Sequence, residues 1–398
     1  MDRRVPAAEQ AAPERIIPFD CVALLLQGGG ALGSYQGGVY QALAEHGVHP
    51  DWVAGISIGA VNGAIIAGNE PAVRVEKLRD FWETVTAPAF QFPLGGFEVP
   101  WMWGHPPDAL VGPLGATRAL VSGAPEFFTP RFPPPYLHRP GGASATSFYD
   151  VSPLKKTLER LVDFDRINAK KTRYSAGAVN VASGNFVYFD NHTQAIGPEH
   201  VMASGALPPG FPAMKIDGEF YWDGGLVSNT PLDWVLGECN ERRDTLAFQV
   251  DLWNARGQIP RDLLDVAVRQ KEIQFSSRTR ASTDRFIQMR RYRRKLASLF
   301  GKIPPESLTA EQADFFREEA DPAVYNIVHL IYRAQKHGRE YSDYEFSRET
   351  MEAHWKAGYD HAAHSLRSPR ILKRPTNGDG VAVFDLWREK GEPAPGKP

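Results

Sequence analysis

The five residues from Gly55 to Gly59, GISIG, constrain this chain more than any other stretch. A serine between two glycines marks a turn from strand to helix too tight for side chains on the flanking positions, and it leaves the hydroxyl exposed at the bend. The flanks agree. Asp51 to Ile56, DWVAGI, is a short apolar run of the kind a buried strand shows. Ala60 to Ala67, AVNGAIIA, carries Val61 and Ile65 at helical spacing, with Gly68 as a cap. Ser57 would then stand at a helix N-terminus, where the dipole favours developing negative charge. The uncharged stretch Trp52 to Asn69 is long enough for a membrane span, but its glycines, Ser57 and two asparagines favour a buried strand, turn and helix.

A second glycine-rich turn lies upstream. Cys21 to Gln27, CVALLLQ, is a continuous apolar run, as expected of a parallel strand buried on both faces, and it ends in GGGALG, Gly28 to Gly33. Val39 and Leu43 mark a helix that ends near Gly47. After the serine turn, Pro71 to Val85 forms an amphipathic helix with Val75, Leu78, Trp82 and Val85 on one face. This alternation predicts an α/β fold with a mostly parallel central sheet flanked by helices.

From about Thr86 to Ser147 the texture changes to Pro, Gly and aromatics, including Trp101, Trp103, Phe127, Phe128 and the prolines Pro133 to Pro135. Such a stretch reads as an insertion that covers substrate or packs on the body of the domain, or as a plain surface excursion. A helix resumes at Ser152-Pro153 with Leu154, Leu158 and Leu161. Arg173 to Val181 and Asn185 to Asp190 read as two strands, and His200 to Leu207 as a short helix stopped by Pro208-Pro209. Glu219 to Trp222 is a brief strand that delivers DGG, Asp223 to Gly225. Thr245 to Trp253, TLAFQVDLW, is another apolar strand. A helical tract then runs from Arg261 to about Phe300, and a final helical region from about Thr309 to Leu366.

Asp223 is the second chemical candidate. An Asp before two glycines is most often only a turn. Here the strand-like EFYW precedes it, and LVSNTPL leads from it into a helix near Pro231. Other classes find little support. A net charge of -2 makes no call for nucleic acid. Two cysteines, Cys21 and Cys239, give no disulfide framework and fit a reducing compartment. Arg3 and Arg4 lack an apolar stretch behind them, so no signal peptide is expected. The histidines show no HExxH-like metal spacing, and no cofactor is expected.

The three motifs, in the order Gly28 to Gly33, Gly55 to Gly59 and Asp223 to Gly225, resemble the patatin-like phospholipases, whose pattern is GGGxxG, GxSxG and a late DGG or DGA. ASGALPPGFP, Ala203 to Pro212, is similar to that family's small-residue and proline stretch before the aspartate. The resemblance covers about Val22 to Trp234. It implies a three-layer fold and a division into a loose leader at 1–19, a catalytic domain at 20–236 containing the 86–147 insertion, a last strand and linker at 237–256, and a mainly helical C-terminal extension at 257–398. The extension looks like one found in a bacterial branch of the family, some of whose members are associated with hydroxybutyrate storage. The implied activity is lipid acyl hydrolysis, with Ser57 as nucleophile, Asp223 as proton acceptor and an acyl-enzyme intermediate. The backbone N–H groups of Gly28, Gly29 and Gly30 would form the oxyanion hole, supported by Gly33, Gly55, Gly59, Gly224 and Gly225. The implied partner is a lipid or acyl ester, and the implied location is cytoplasmic. One departure stands out: many members carry Arg or Lys where this chain has Leu32, so a cation for an anionic head group is missing there.

Three other readings stay open. Gly28, Gly30 and Gly33 also spell GxGxxG, but the acid a dinucleotide site wants at the end of the second strand is absent, since Asp51 precedes that strand. A Ser–His–Asp triad could draw on His329, His337 or His354. A non-catalytic lipid- or granule-associated scaffold could keep the fold alone. The basic tract Arg278 to Lys295 is either a solvated or internally paired helix face, or an electrostatic dock for an anionic membrane or storage granule, with Phe286 and Met289 dipping into it.

Overall fold

The computed structural model describes residues 17–87, 123–238, 242–257, 259–261, 263–333 and 345–387, without the side chains of 238, 264 and 277–280. Trp101, Trp103, His337, Cys239 and most of the predicted leader lie outside the described residues.

A 9-stranded sheet forms the centre. Its strands are β1 (Cys21–Leu26), β2 (Trp52–Ile56), β3 (Arg173–Asn180), β4 (Phe186–Asp190), β5 (Met214–Ile216), β6 (Glu219–Asp223), β7 (Thr245–Asp251), β8 (Tyr325–Ile331) and β9 (Val381–Phe384). They lie in the order β9-β8-β7-β1-β2-β3-β6-β5, with β4 on the other edge of β3. The run from β9 to β3 is parallel throughout, and β4, β5 and β6 are antiparallel additions at one end. The α-helices of seven or more residues among the described residues are α1 (Ser34–Glu45), α2 (Ile58–Ala67), α3 (Arg74–Val85), α4 (Ser152–Leu161), α5 (Pro198–Ser204), α6 (Leu263–Phe300), α7 (Ala310–Glu319) and α8 (Arg348–Leu366).

The period of two along β1 builds the layers. Val22, Leu24 and Leu26 face a core filled by α1, α2 and α3, whereas Cys21, Ala23 and Leu25 face a second core that includes Leu232, Leu236 and Phe286 of α6. Both faces are covered, which is why CVALLL carries no polar residue. The Trp52 to Asn69 stretch is β2, the serine turn and α2, as expected, and no helix among the described residues is long and apolar enough to cross a membrane.

The C-terminal region is helical in α6, α7 and α8, but it also completes the sheet. Tyr325–Ile331, expected to be helical, is strand β8 and pairs with β7 in register from Thr245 to Asp251; β9 then pairs with β8. YNIVHLI is a short apolar run that periodicity alone cannot assign, and the open edge of β7 decides it. Helix α8 packs across α1 at two glycines: a Cβ on Gly38 would lie 1.8 Å from the Trp355 carbonyl oxygen, and one on Gly358 would lie 2.0 Å from that of Tyr35. The leader is corrected at its end, because Phe19 is buried in the core. In the described part of the insertion, Phe127 and Phe128 pack with Phe211 and Phe346, so these aromatics serve packing.

Four arginines of the basic tract on α6 have partners within the chain, and one of them is buried. Arg290 is buried and paired with Asp321, Arg291 binds Asp379, Arg293 faces Glu319, and Arg294 donates to the Pro322 carbonyl. Phe286 is buried in the second core and cannot dip into a lipid surface. This corrects the expectation that Phe286 dips into a lipid surface, whereas Met289 is 48% exposed.

Candidate active site

The GISIG turn is built by two close backbone crossings. A Cβ on Gly55 would lie 2.2 Å from the Gly59 carbonyl oxygen, and one on Gly59 would lie 2.3 Å from that of Leu26. Neither position admits a side chain, so β1, β2 and the first turn of α2 can close on one another. Ser57 sits at the bend with φ 55 and ψ -125, a strained backbone for a residue with a Cβ. Its hydroxyl makes no capping bond to α2. Its backbone N–H donates to Ser204 Oγ at 3.0 Å, and Ser204 Oγ donates to the Gly177 carbonyl at 2.6 Å. The half-buried Ser57 is therefore pinned by α5, and its hydroxyl is free for other work.

Sheet topology brings Asp223 to it. β2 runs along one edge of β3 as far as Ile56, opposite Gly177. β6 enters that same edge from the other direction and ends with Asp223 opposite Ala178. The ends of the two strands meet over neighbouring residues of β3, which places the Ser57 hydroxyl near enough to the Asp223 carboxylate to pull its pKa down. Asp223 is 2% exposed. Burial pushes its carboxyl up to about 6 from the usual 3.8, against the pull of the hydrogen bonds from Ser57 and the Gly225 N–H. The Gly225 bond is 2.7 Å, and the Asp223 N–H itself donates to the Ala206 carbonyl at 3.0 Å. Gly224 lies against the Gly177 carbonyl, where a Cβ would be 2.6 Å from the oxygen.

The glycine-rich turn borders the same point. A Cβ on Gly28 would stand 3.0 Å from Ser57 Cβ. The Gly28 carbonyl accepts from Trp253 Nε1 at 2.8 Å and from Asn229 Nδ2 at 3.0 Å. Gly29 and Gly30 are half-buried, Gly30 has φ 56, and Gly33 packs on Ile58 and Trp82. Beneath the turn lies a buried polar network. Gln36 donates to the Gln27 carbonyl, Asn62 donates to the Gly33 carbonyl and to Gln36, and Trp82 donates to Asn62. Sequence reasoning missed Gln27, Asn62, Ser204, Asn229 and Trp253. The available signal was polarity out of place: Gln27 ends an apolar strand and Asn62 interrupts an apolar helix.

Two of the late histidine candidates, His329 and His354, lie among the described residues. His329 Nδ1 lies 3.4 Å from Asp251 Oδ2. His354 is buried, and that burial pushes its imidazole down to about 4. Among the described residues no group of three or more His, Cys, Asp or Glu is placed to hold a metal ion. What the arrangement offers is a serine hydroxyl at a helix N-terminus, a buried carboxylate of raised pKa and a glycine-rich turn beside them.

Comparison with known proteins follows the same residues. A family model described as patatin-like phospholipase matches residues 24–236, and one described as patatin phospholipase matches 273–378. Patatin-like phospholipase domain-containing protein 7 of Rattus norvegicus is 49% identical over 53 residues, which are 13% of this chain and 4% of that protein. Patatin-like phospholipase domain-containing protein 6 of Homo sapiens is 41% identical over 68 residues, 17% of this chain and 5% of that protein. The chain thus matches only a small fraction of those relatives' length. VipD from Legionella pneumophila aligns with a TM-score of 0.38 and 16% identity over 92% of this chain and 71% of that one. The type III effector ExoU aligns with a TM-score of 0.31 and 14% identity over 89% of this chain and 54% of that one. Structural likenesses of this size carry no argument about activity.

Proposed function

The chain belongs to the patatin-like phospholipase family, and from that premise we propose that it is a serine lipid acyl hydrolase working through a Ser57–Asp223 dyad. The observation that carries the reading is the placement of the Ser57 hydroxyl, at the N-terminus of α2, beside the buried Asp223 carboxylate at the end of β6. The ionised carboxylate accepts the proton of Ser57 Oγ as that oxygen attacks the ester carbonyl carbon. Backbone N–H groups of Gly28, Gly29 and Gly30, with the positive end of α2, receive the tetrahedral oxyanion. Collapse expels the alcohol, which takes the proton back from Asp223 and leaves the acyl group on Ser57. Water then gives its proton to Asp223 and attacks the acyl carbonyl. Breakdown of the second tetrahedral species releases the acid and returns the proton to Ser57. Gly33, Gly55, Gly59, Gly224 and Gly225 keep the backbone close enough for this geometry.

The proposed substrate class is a lipid carboxylic ester, in a phospholipid, lysophospholipid or neutral glyceride. Leu32 is buried in the core, so no cation reads a head group at that position. In this proposal, peripheral contact with an anionic membrane or granule surface would draw on exposed residues of the basic tract such as Arg285, Arg291 and Lys295.

The test is direct. The purified protein is treated with a fluorophosphonate probe and assayed against p-nitrophenyl esters and phospholipids. Covalent labelling at Ser57 together with hydrolysis of at least one acyl ester is expected. No labelling and no hydrolysis across the panel would leave the non-catalytic scaffold as the reading.

A further inference from the structure

We propose that Trp253 is a positioning residue for the oxyanion-binding peptide between Gly28 and Gly29, and that the C-terminal helix α6 serves the site by holding Trp253 in place. The proposal rests on the dyad reading above and adds a role for α6, which that reading leaves without one.

The Gly28 carbonyl accepts two hydrogen bonds, from Trp253 Nε1 at 2.8 Å and Asn229 Nδ2 at 3.0 Å. With both donors in place, the peptide plane cannot rotate without giving up bonds in a buried setting. In a trans peptide the carbonyl and the next N–H point in opposite directions, so fixing the Gly28 oxygen also fixes the Gly29 N–H. A run of three glycines has the widest backbone freedom of any sequence, and an N–H that wanders is a poor receiver of an oxyanion. Something outside the loop has to supply the rigidity.

Trp253 is held on two sides. Its indole packs on Phe275 of α6, with ring centroids 5.2 Å apart. Its own N–H donates to Gln27 Oε1 at 3.1 Å, and Gln27 Nε2 donates to the Phe275 carbonyl at 3.3 Å. Gln27 is the residue immediately before the glycine run, so strand end, tryptophan and helix form a closed circuit around the oxyanion peptide. Leu252 fills the space beside Gly29, where a Cβ would meet its Cδ1 at 2.8 Å.

The test uses the full chain. Trp253→Phe keeps a ring against Phe275 and removes the N–H. Active sites are counted by fluorophosphonate titration, and ester hydrolysis is then measured per titrated site. The expected result is a kcat lower by roughly ten-fold with KM within about two-fold of the parent, less than the loss from deleting a direct oxyanion donor. The pH midpoint should not move, because Asp223 is untouched. Phe275→Leu should lower kcat in the same direction by a smaller factor. Parent-like kcat per site in the folded variants overturns the proposal, as does a change confined to KM. Should Trp253→Phe fail to fold, Phe275→Leu carries the test on the same readings. Ser57→Ala run in parallel separates the two levels: hydrolysis retained there sinks the dyad, whereas an inactive Ser57→Ala beside an unchanged Trp253→Phe sinks only the positioning role.

Discussion

The Ser57 hydroxyl reaches the Asp223 carboxylate because the strands ahead of them meet end to end along one edge of β3. Ile56 lies opposite Gly177 and Asp223 opposite Ala178, so the spacing of the pair is set by adjacent residues of a third strand. Ser204 ties the same place together, since its hydroxyl bridges the Ser57 N–H and the Gly177 carbonyl. The placement of Ser57 beside Asp223 is thus set by the sheet and by α5.

The raised pKa of Asp223 gives a pH profile with a definite sign. A base must be ionised to accept a proton, so kcat/KM should rise with pH to a midpoint near 6 and level off above it. Stability runs the other way. A carboxyl that binds its proton more tightly in the folded state than in the unfolded state destabilises the fold once ionised, so stability falls as pH climbs from about 4 to about 6. The full penalty is roughly 3 kcal/mol. Asp223→Asn should therefore lose at least about a hundred-fold in kcat. It should also resist urea better than the parent at pH 8, with little difference at pH 4. A variant no more stable than the parent at pH 8 would contradict the burial argument.

Ser57→Ala should abolish ester hydrolysis by several orders of magnitude while the protein still folds, since the hydroxyl caps nothing in α2. Residual activity above about a tenth of the parent would remove Ser57 as nucleophile. Single alanine variants of His329, His337 and His354 should keep substantial activity. Any one of them as inactive as Ser57→Ala, with its fold intact, would restore the triad.

Ser204→Ala leaves the Ser57 N–H and the Gly177 carbonyl without their shared hydroxyl in a fully buried place. The expected cost is about 1–3 kcal/mol in urea unfolding. The strained Ser57 backbone would relax, so kcat per titrated site should fall while the pH midpoint stays near 6. An unchanged kcat would mean that Ser204 supports the sheet without holding the nucleophile.

The sequence made the local chemistry legible where one residue type can meet one backbone demand. GISIG and GGGALG announce their turns because no side chain fits there, and CVALLL announces a doubly covered strand. What stayed hidden depends on contacts across the chain. Trp253 and Asn229 matter through one carbonyl of Gly28, and nothing in their own neighbourhoods marks that. Ser204 looks like any helix-end serine until Gly177 is brought beside it. The sequence of strand β8 is equally compatible with helix, because an apolar run of seven residues fits either and the waiting edge of β7 is invisible in one dimension. Which of the two readings of the α6 arginines holds cannot be seen in one dimension, because two of their acids, Asp321 and Asp379, come later in the chain.

Arg290 supplies the last prediction. Its guanidinium and the Asp321 carboxylate are 2% and 3% exposed, and Arg290 also donates to the carbonyls of Asp321 and Ala323. Tyr325 of β8 adds its hydroxyl to Asp321 at 3.2 Å and its ring beneath Arg290 at 4.5 Å. This cluster fastens α6 to the strand that the C-terminal region adds to the sheet. Arg290→Gln leaves a buried carboxylate without its cation, which should cost roughly 3–5 kcal/mol. If the residue were instead a lipid-facing cation, the same change would lower sedimentation with anionic vesicles and leave the urea midpoint alone. The expected outcome is the reverse: a large drop in the urea midpoint, with vesicle sedimentation of the folded fraction unchanged. Arg285→Gln is the matched control, because Arg285 is exposed on the same helix and should leave stability within about 0.5 kcal/mol of the parent.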